Sequence, residues 1–370
     1  MTWDWRDIPR SVRIAFSDRK IGLHVRGLVI TYVLVVGAVY LAQLAEGRDI
    51  VSVWRQTGLA VPIEIPDAAR TTLGIVSISV ALIVGWAVCV YYSIAVAKVT
   101  HEELRGEHFF PSGEAARFAR KHGGGAFGTL FGILLFALVI RALAYLGGMV
   151  GRVPYVGEWW IAVGAVLLIP AFFAGLLFAF LTLMFVAGAM LVPAVSGTTG
   201  HRSTEVSYQL AVIVWRSGWR LFAYEGVLVI AAILAGAVFV VVGLAGFSAV
   251  LAGVAGAYPR FTDMLIAGVH FAWGDVGSQV AACLGFNGTP GPLSLPMLVG
   301  ASISAVSLIL VTIVFAAYVL SIGTVGNVLI YAILRRRIWG DNVLDGSPSD
   351  APNADVEAAI SPEEPSHNEH

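Results

Sequence analysis

Six long apolar runs alternate with short polar stretches along the chain, at residues 27–44, 72–96, 126–146, 160–191, 221–247 and 297–331. A helix needs about 20 residues to cross roughly 30 Å of hydrocarbon. All but the first run reach that length, and the first falls only slightly short. The pattern therefore predicts an all-α polytopic membrane bundle of six transmembrane helices in three hairpins. A short basic stretch precedes each pair, at 4–20, 111–122 and 203–220, and each reads as an amphipathic helix lying in the headgroup layer. The expected unit is an interfacial helix, a crossing helix and a long returning helix, read three times as a repeat of pattern rather than of residue identity.

Local signals refine the elements. Ser112 is placed to cap the second basic helix, Glu114 lies in its positive first turn, and Arg120, Lys121 and His122 lie in its negative last turn. The run Gly123, Gly124, Gly125 is expected to end that helix. The returning runs exceed what a bilayer requires, so they must tilt, kink or protrude, and Pro170 is expected to kink the fourth. Loops on the far side differ: 45–71 carries Pro62 and Pro66, 147–159 is short and glycine-rich, and 248–296 is long and moderately apolar. The last either lies on the outer surface or dips back into the membrane. Trp159, Trp160 and Trp273 suit an outer aromatic belt, and Trp3, Trp5, Trp215, Trp219 and Trp339 an inner one.

Composition strengthens the membrane reading. Of 370 residues, 58% are hydrophobic and 13% charged, against about a quarter charged in soluble domains. With the N-terminus in the cytoplasm, seventeen Lys and Arg fall inside and six outside, a positive-inside bias that also returns the C-terminus to the cytoplasm. The simplest home is a bacterial inner membrane, with the first span an uncleaved anchor. Cys89 and Cys283 supply no disulfide framework. Residues 341–370 hold eight acids and no Lys or Arg, so a disordered acidic tail is expected. The expected divisions are 1–26 as a cytoplasmic amphipathic segment, 27–340 as the membrane domain and 341–370 as the tail.

Candidate chemistry is sparse. Arg141 and Glu225 are the ionisable residues most nearly embedded in apolar runs, and a charge at membrane depth can mark a substrate path or proton relay. The plainer alternative is that Arg141 snorkels outward and Glu225 reaches Arg220 or the inner headgroups. In the segment from His101 to His108, Arg105 stands where a second zinc-ligating His belongs, so a solvated helix end is expected rather than a metal site. Gly300 to Ser304 lacks the closing glycine of a nucleophile elbow, and Trp273-Gly274-Asp275 lacks a partner aspartate in a neighbouring span. Small residues at Ala231/Ala235, Ala232/Gly236 and Gly243 suit close helix packing. The strongest collective feature is the inner basic set: Arg13, Arg19, Lys20, Arg117, Arg120, Lys121, Arg216, Arg220, Arg335, Arg336 and Arg337. Each contributes about 1 kcal/mol near an anionic surface. The set serves either topology alone or contact with a lipid headgroup or partner protein.

Three stretches together resemble a family of uncharacterised six-span bacterial membrane proteins. They are Glu102-Glu103-Leu104-Arg105-Gly106-Glu107 with Glu114-Ala115-Ala116-Arg117-Phe118-Ala119-Arg120, then Met190-Leu191-Val192-Pro193-Ala194-Val195, then Leu329-Ile330-Tyr331-Ala332-Ile333-Leu334-Arg335-Arg336. The layout is also similar to the membrane domains attached to some glycerophosphodiester phosphodiesterases. The resemblance covers roughly residues 5–340 and implies no catalytic residues, and no phosphodiesterase domain is present. The expectation is a non-enzymatic scaffold or accessory subunit with no cofactor, metal or nucleic-acid partner. It would engage the bilayer, anionic lipid or a protein partner. The alternative is a transporter or channel for a small solute or lipid.

Overall fold

The computed structural model describes residues 4–59, 71–150, 152, 155, 168–258, 260–286, 291–341 and 344. A 3-10 turn at Trp5–Arg10 leads into α1 (Ser11–Ala15), α2 (Asp18–Ala45), α3 (Ile50–Thr57), α4 (Thr72–Leu104), α5 (Ser112–Val150) and α6 (Leu168–Thr199). Then come α7 (Ser203–Ala257), α8 (Arg260–Trp273), a 3-10 turn at Gly274–Val276, α9 (Gly277–Cys283) and α10 (Leu295–Trp339). No strand occurs among the described residues. Helices α2, α4, α5, α6, α7 and α10 are each long and apolar enough to cross a membrane. The chain is a multi-pass membrane protein.

Helix α2 packs along α4, α5 along α6, and α7 along α10, while α4, α6 and α10 also pack on one another. These last three meet near their C-terminal ends. There Ile94, Ala95, Val96 and Ala97 of α4, Leu191 to Val195 of α6, and Val328 to Leu334 of α10 are almost wholly enclosed. Each stretch is apolar on every side, which is the sequence mark of a helix with no face left for water. Gly197 shows how close the approach is: a Cβ there would lie 2.5 Å from Ala97 Cβ and 2.9 Å from the Ile94 carbonyl oxygen. The other ends of the bundle expose their Leu, Ile and Val side chains, including Leu41, Ile83, Leu143, Phe172, Val241 and Ile303. Such a surface is what hydrocarbon solvates.

Several expectations need correction. The glycine run does not end a helix, because α5 continues unbroken from Ser112 through Gly123, Gly124 and Gly125 into the apolar span. Tertiary contact holds it there: the Thr129 hydroxyl bonds both the Gly125 carbonyl, at 3.0 Å, and the Ser203 backbone carbonyl, at 3.0 Å, so the start of α7 braces this stretch. The third basic stretch is helical from Ser203 and is set off from the following span by a kink at Ser217 (φ −139°, ψ 21°), beyond which α7 continues. Helix α2 begins at Asp18 and runs through the expected boundary at 26. Pro170 stands in the first described turn of α6, and the proline inside that helix is Pro193. Trp3, Pro62, Pro66, Trp159, Trp160 and nearly all of the tail lie outside the described residues.

The segment ahead of α2 does not float free. Asp7, Ile8, Ser11 and Ala15 are buried against the rest of the molecule, while Arg6, Arg10 and Arg13 face outward. The Phe16 ring sits edge-on to Phe239 and Tyr318, clasping this segment to α7 and α10. The small-residue face of α7 meets α10 as its spacing suggested, with Gly236 against Val319 and Gly243 against Phe315.

Candidate functional site

The basic set is distributed over five helices at the end of the bundle where α4, α6 and α10 converge. Arg13 on α1, Arg117, Arg120 and Lys121 on α5, Arg216 on α7, and Arg336 and Arg337 on α10 are exposed. Arg19, Arg220 and Arg335 are half-buried. Lys20 leaves the set. Its side chain is 0% exposed, donates to the Ile14 carbonyl at 2.7 Å and pairs with Glu103 Oε2 at 2.5 Å. A lysine held this way cannot also reach a headgroup. Arg19 is partly committed as well, donating to the His108 and Phe110 carbonyls and lying 5.7 Å from the Phe109 ring.

Within 101–108, Arg105, Glu107 and His108 are exposed as a solvated helix end requires, but His101 and Glu102 are not. His101 and Glu102 are buried, and Glu102 is surrounded by Lys98 at 2.5 Å, His101 at 3.5 Å and Arg105 at 3.6 Å. The physical reason is that the ends of α4, α6 and α10 enclose one another, so charges written on α4 must be neutralised within the protein. Sequence gives a faint signal in the Lys98/Glu102 pair at i,i+4. It does not show that water is excluded.

A second polar chain ties α7 to α10. The Tyr331 hydroxyl, fully buried, donates to Gln209 Oε1 at 2.7 Å and accepts from Arg335 at 3.1 Å. Arg335 also reaches Asp341 at 3.4 Å, and the Gln209 amide reaches Glu205 at 3.3 Å. Removing one partner of a buried bond leaves the other unsatisfied at a cost of about 1–3 kcal/mol. Tyr331→Phe is therefore expected to destabilise the fold by about 1–2 kcal/mol in unfolding titrations. A shift near zero would mean that water reaches Gln209.

Arg141 and Glu225 are not brought together. Arg141 lies on the exposed face of α5 beside Leu138, Ala142 and Tyr145, while Glu225 is buried on α7 with Oε1 lacking a hydrogen-bond partner. Glu225 neither pairs with Arg220 among the described residues nor reaches the surface.

Two strongly exposed aromatic side chains at this end belong to α7. Trp215 is 80% and Trp219 73% exposed, and Tyr208 lies on the same face two turns before Trp215. Trp215 packs edge-on against Phe180 of α6, and the Arg220 guanidinium lies 5.2 Å from the Trp219 ring centre. Arg216 is exposed between the two tryptophans. No family model, curated protein or solved structure matches the chain.

Proposed function

We propose that this chain is a non-enzymatic membrane scaffold or accessory protein that engages anionic phospholipid at its basic end. In this reading the three helix pairs are hairpins, and the basic stretches at 4–20, 111–122 and 203–220 present their cations to the inner headgroups. Both termini then face the cytoplasm of a bacterial inner membrane, as the charge distribution favours. The observation that carries the lipid reading is the stripe on α7, where exposed Trp215 and Trp219 alternate with Arg216 and Arg220. Amphipathic indoles favour the zone between tail and headgroup, and guanidinium groups at that depth meet phosphate with paired donors. The close packing of α4, α6 and α10 at the same end supports a structural part over a conduit there. Transport of a small solute, the competing reading, draws its support from a different region, the loop between α7 and α10.

Native mass spectrometry of the full chain, released from nanodiscs of mixed phosphatidylcholine and phosphatidylglycerol, tests the lipid reading. The protein is expected to retain phosphatidylglycerol preferentially. The Arg216→Ala/Arg220→Ala double variant is expected to retain it roughly 30-fold more weakly, at about 1 kcal/mol for each arginine. Equal retention by the variant would reject the site. A co-purifying protein lost on deletion of 341–370 would replace lipid by a protein partner.

A further inference from the structure

The long loop between α7 and α10 does not lie flat on the outer surface. Met264 of α8 packs on Gly300, Gly268 on Ala301 and Ser304, and Ala272 joins one buried cluster with Ala305, Ile309 and Ile313. Helix α8 therefore runs beside α10 in the same direction, from the outer end toward the middle of the bundle. The chain then turns at Gly274–Val276 and α9 leads back, with Gly277 against Val269 and His270. From the other side, α3 folds down along α2 and ends at Gly58, whose φ of +62° only glycine adopts readily. The two turns touch. A Cβ on Gly58 would lie 2.7 Å from the Gly274 nitrogen, and the Leu59 N–H donates to the Phe271 carbonyl at 3.0 Å. Tyr40 donates to the Gly58 carbonyl and Tyr32 to the Leu59 carbonyl.

The depth of this junction follows from the helices beside it. Tyr32 is thirteen residues from the end of α2 at Ala45, and Ile309 fourteen from the start of α10 at Leu295. At 1.5 Å per residue both lie about 20 Å below the outer ends. Around that level α10 turns Ile303, Val306, Leu310 and Val314 outward, and α2 turns Val33, Leu34 and Leu41 outward. Such side chains are what hydrocarbon solvates, which argues for a junction inside the bilayer. Non-helical backbone at such depth persists only where protein buries it or where it lines water. The tyrosines satisfy the first condition for the carbonyls of Gly58 and Leu59. They do nothing for α9, which exposes the Gln279 amide close to the level of His270. A primary amide facing lipid tails has nothing to bond.

We infer that α8 and α9 form a re-entrant loop whose α9 face lines a water-filled vestibule, open to the outer side and floored by the contact of Gly58 with Gly274. Its lining groups, the Gln279 amide, the Ser278 hydroxyl and the half-buried His270 ring, suit water and small neutral hydrogen-bonding solutes. Trp273-Gly274, set aside in the sequence for want of an aspartate partner, is the turn at its base. This inference is independent of the lipid reading and concerns the opposite end of the molecule.

Cysteine accessibility tests it in the full chain, with Cys89→Ala and Cys283→Ser removing the native thiols, reconstituted in lipid nanodiscs that leave both faces open. Gln279→Cys and Leu310→Cys are each treated with a charged, membrane-impermeant methanethiosulfonate. Labelling at least tenfold faster at 279 than at 310 is the expected result. Both positions labelling quickly would put this region outside the bilayer and overturn the inference. Both labelling slowly would overturn it too, because α9 would then face lipid. Ala282→Cys, exposed one turn nearer the outer end, repeats the measurement if the 279 variant folds poorly.

Discussion

Gly197→Leu is expected to destabilise the fold by about 3 kcal/mol, at the upper end of what inserted methylenes cost in a packed core. The cost is high because the atoms a new side chain meets cannot yield. The Ile94 carbonyl oxygen at 2.9 Å and the Lys98 nitrogen at 3.1 Å are helix backbone, and the Ala97 Cβ at 2.5 Å has no rotamer to change. Helices α4 and α6 would have to separate, opening the cluster that α10 completes. Gly175→Leu, on the same helix with no atom within 4 Å of its Cβ position, is the control and is expected to change stability by less than about 0.5 kcal/mol. Reversible unfolding in mixed micelles measures both. Equal midpoints for the two variants would mean that α4 and α6 do not meet at Gly197.

The Lys20–Glu103 pair is expected to respond asymmetrically. Lys20 is wholly enclosed, whereas the Glu103 side chain is 33% exposed. Glu103→Ala leaves an ammonium in the interior with only the Ile14 carbonyl beside it, and stranding a buried charge costs about 3–5 kcal/mol. Lys20→Met leaves a carboxylate that water can reach, so a loss of about 1 kcal/mol is expected, near that of a partly exposed pair. The double variant is expected to resemble Lys20→Met alone, because the stranded charge is gone. Equal losses from the two single variants would show that Lys20 is hydrated and that its enclosure by α1, α2 and α4 is wrong.

Both predictions concern residues whose importance is hard to read along the chain. Gly197 is one of 41 glycines, and nothing in its neighbours separates it from Gly175. Lys20 looks like any other member of the basic set. Glu102 and His101 look like a solvated helix end because polar residues at the close of an apolar run normally meet water. They are buried here because three returning helices bring their ends together, and no local pattern on α4 reports what α6 and α10 do. The Gly123, Gly124, Gly125 run is the converse case. Its low helix propensity points to a break, and the bracing of Thr129 by Ser203 overrides it.

What the sequence determined by itself is the set of elements that length and hydrophobicity control: six helices able to cross a membrane, the absence of strands among the described residues, and the small-residue seam where α7 meets α10. Inside hydrocarbon the backbone must satisfy its own hydrogen bonds, so an apolar run of sufficient length has almost no alternative to a helix. What only the tertiary structure decided is where polar groups sit relative to that helical frame. It sent Lys20 and Glu102 inward and left Trp215 and Arg216 outward. It folded 260–283 down beside α10 to meet Gly58, an outcome the moderate hydropathy of 248–296 left open. Burial of a charge or a turn depends on partners tens or hundreds of residues away, and those partners are fixed by packing rather than by periodicity.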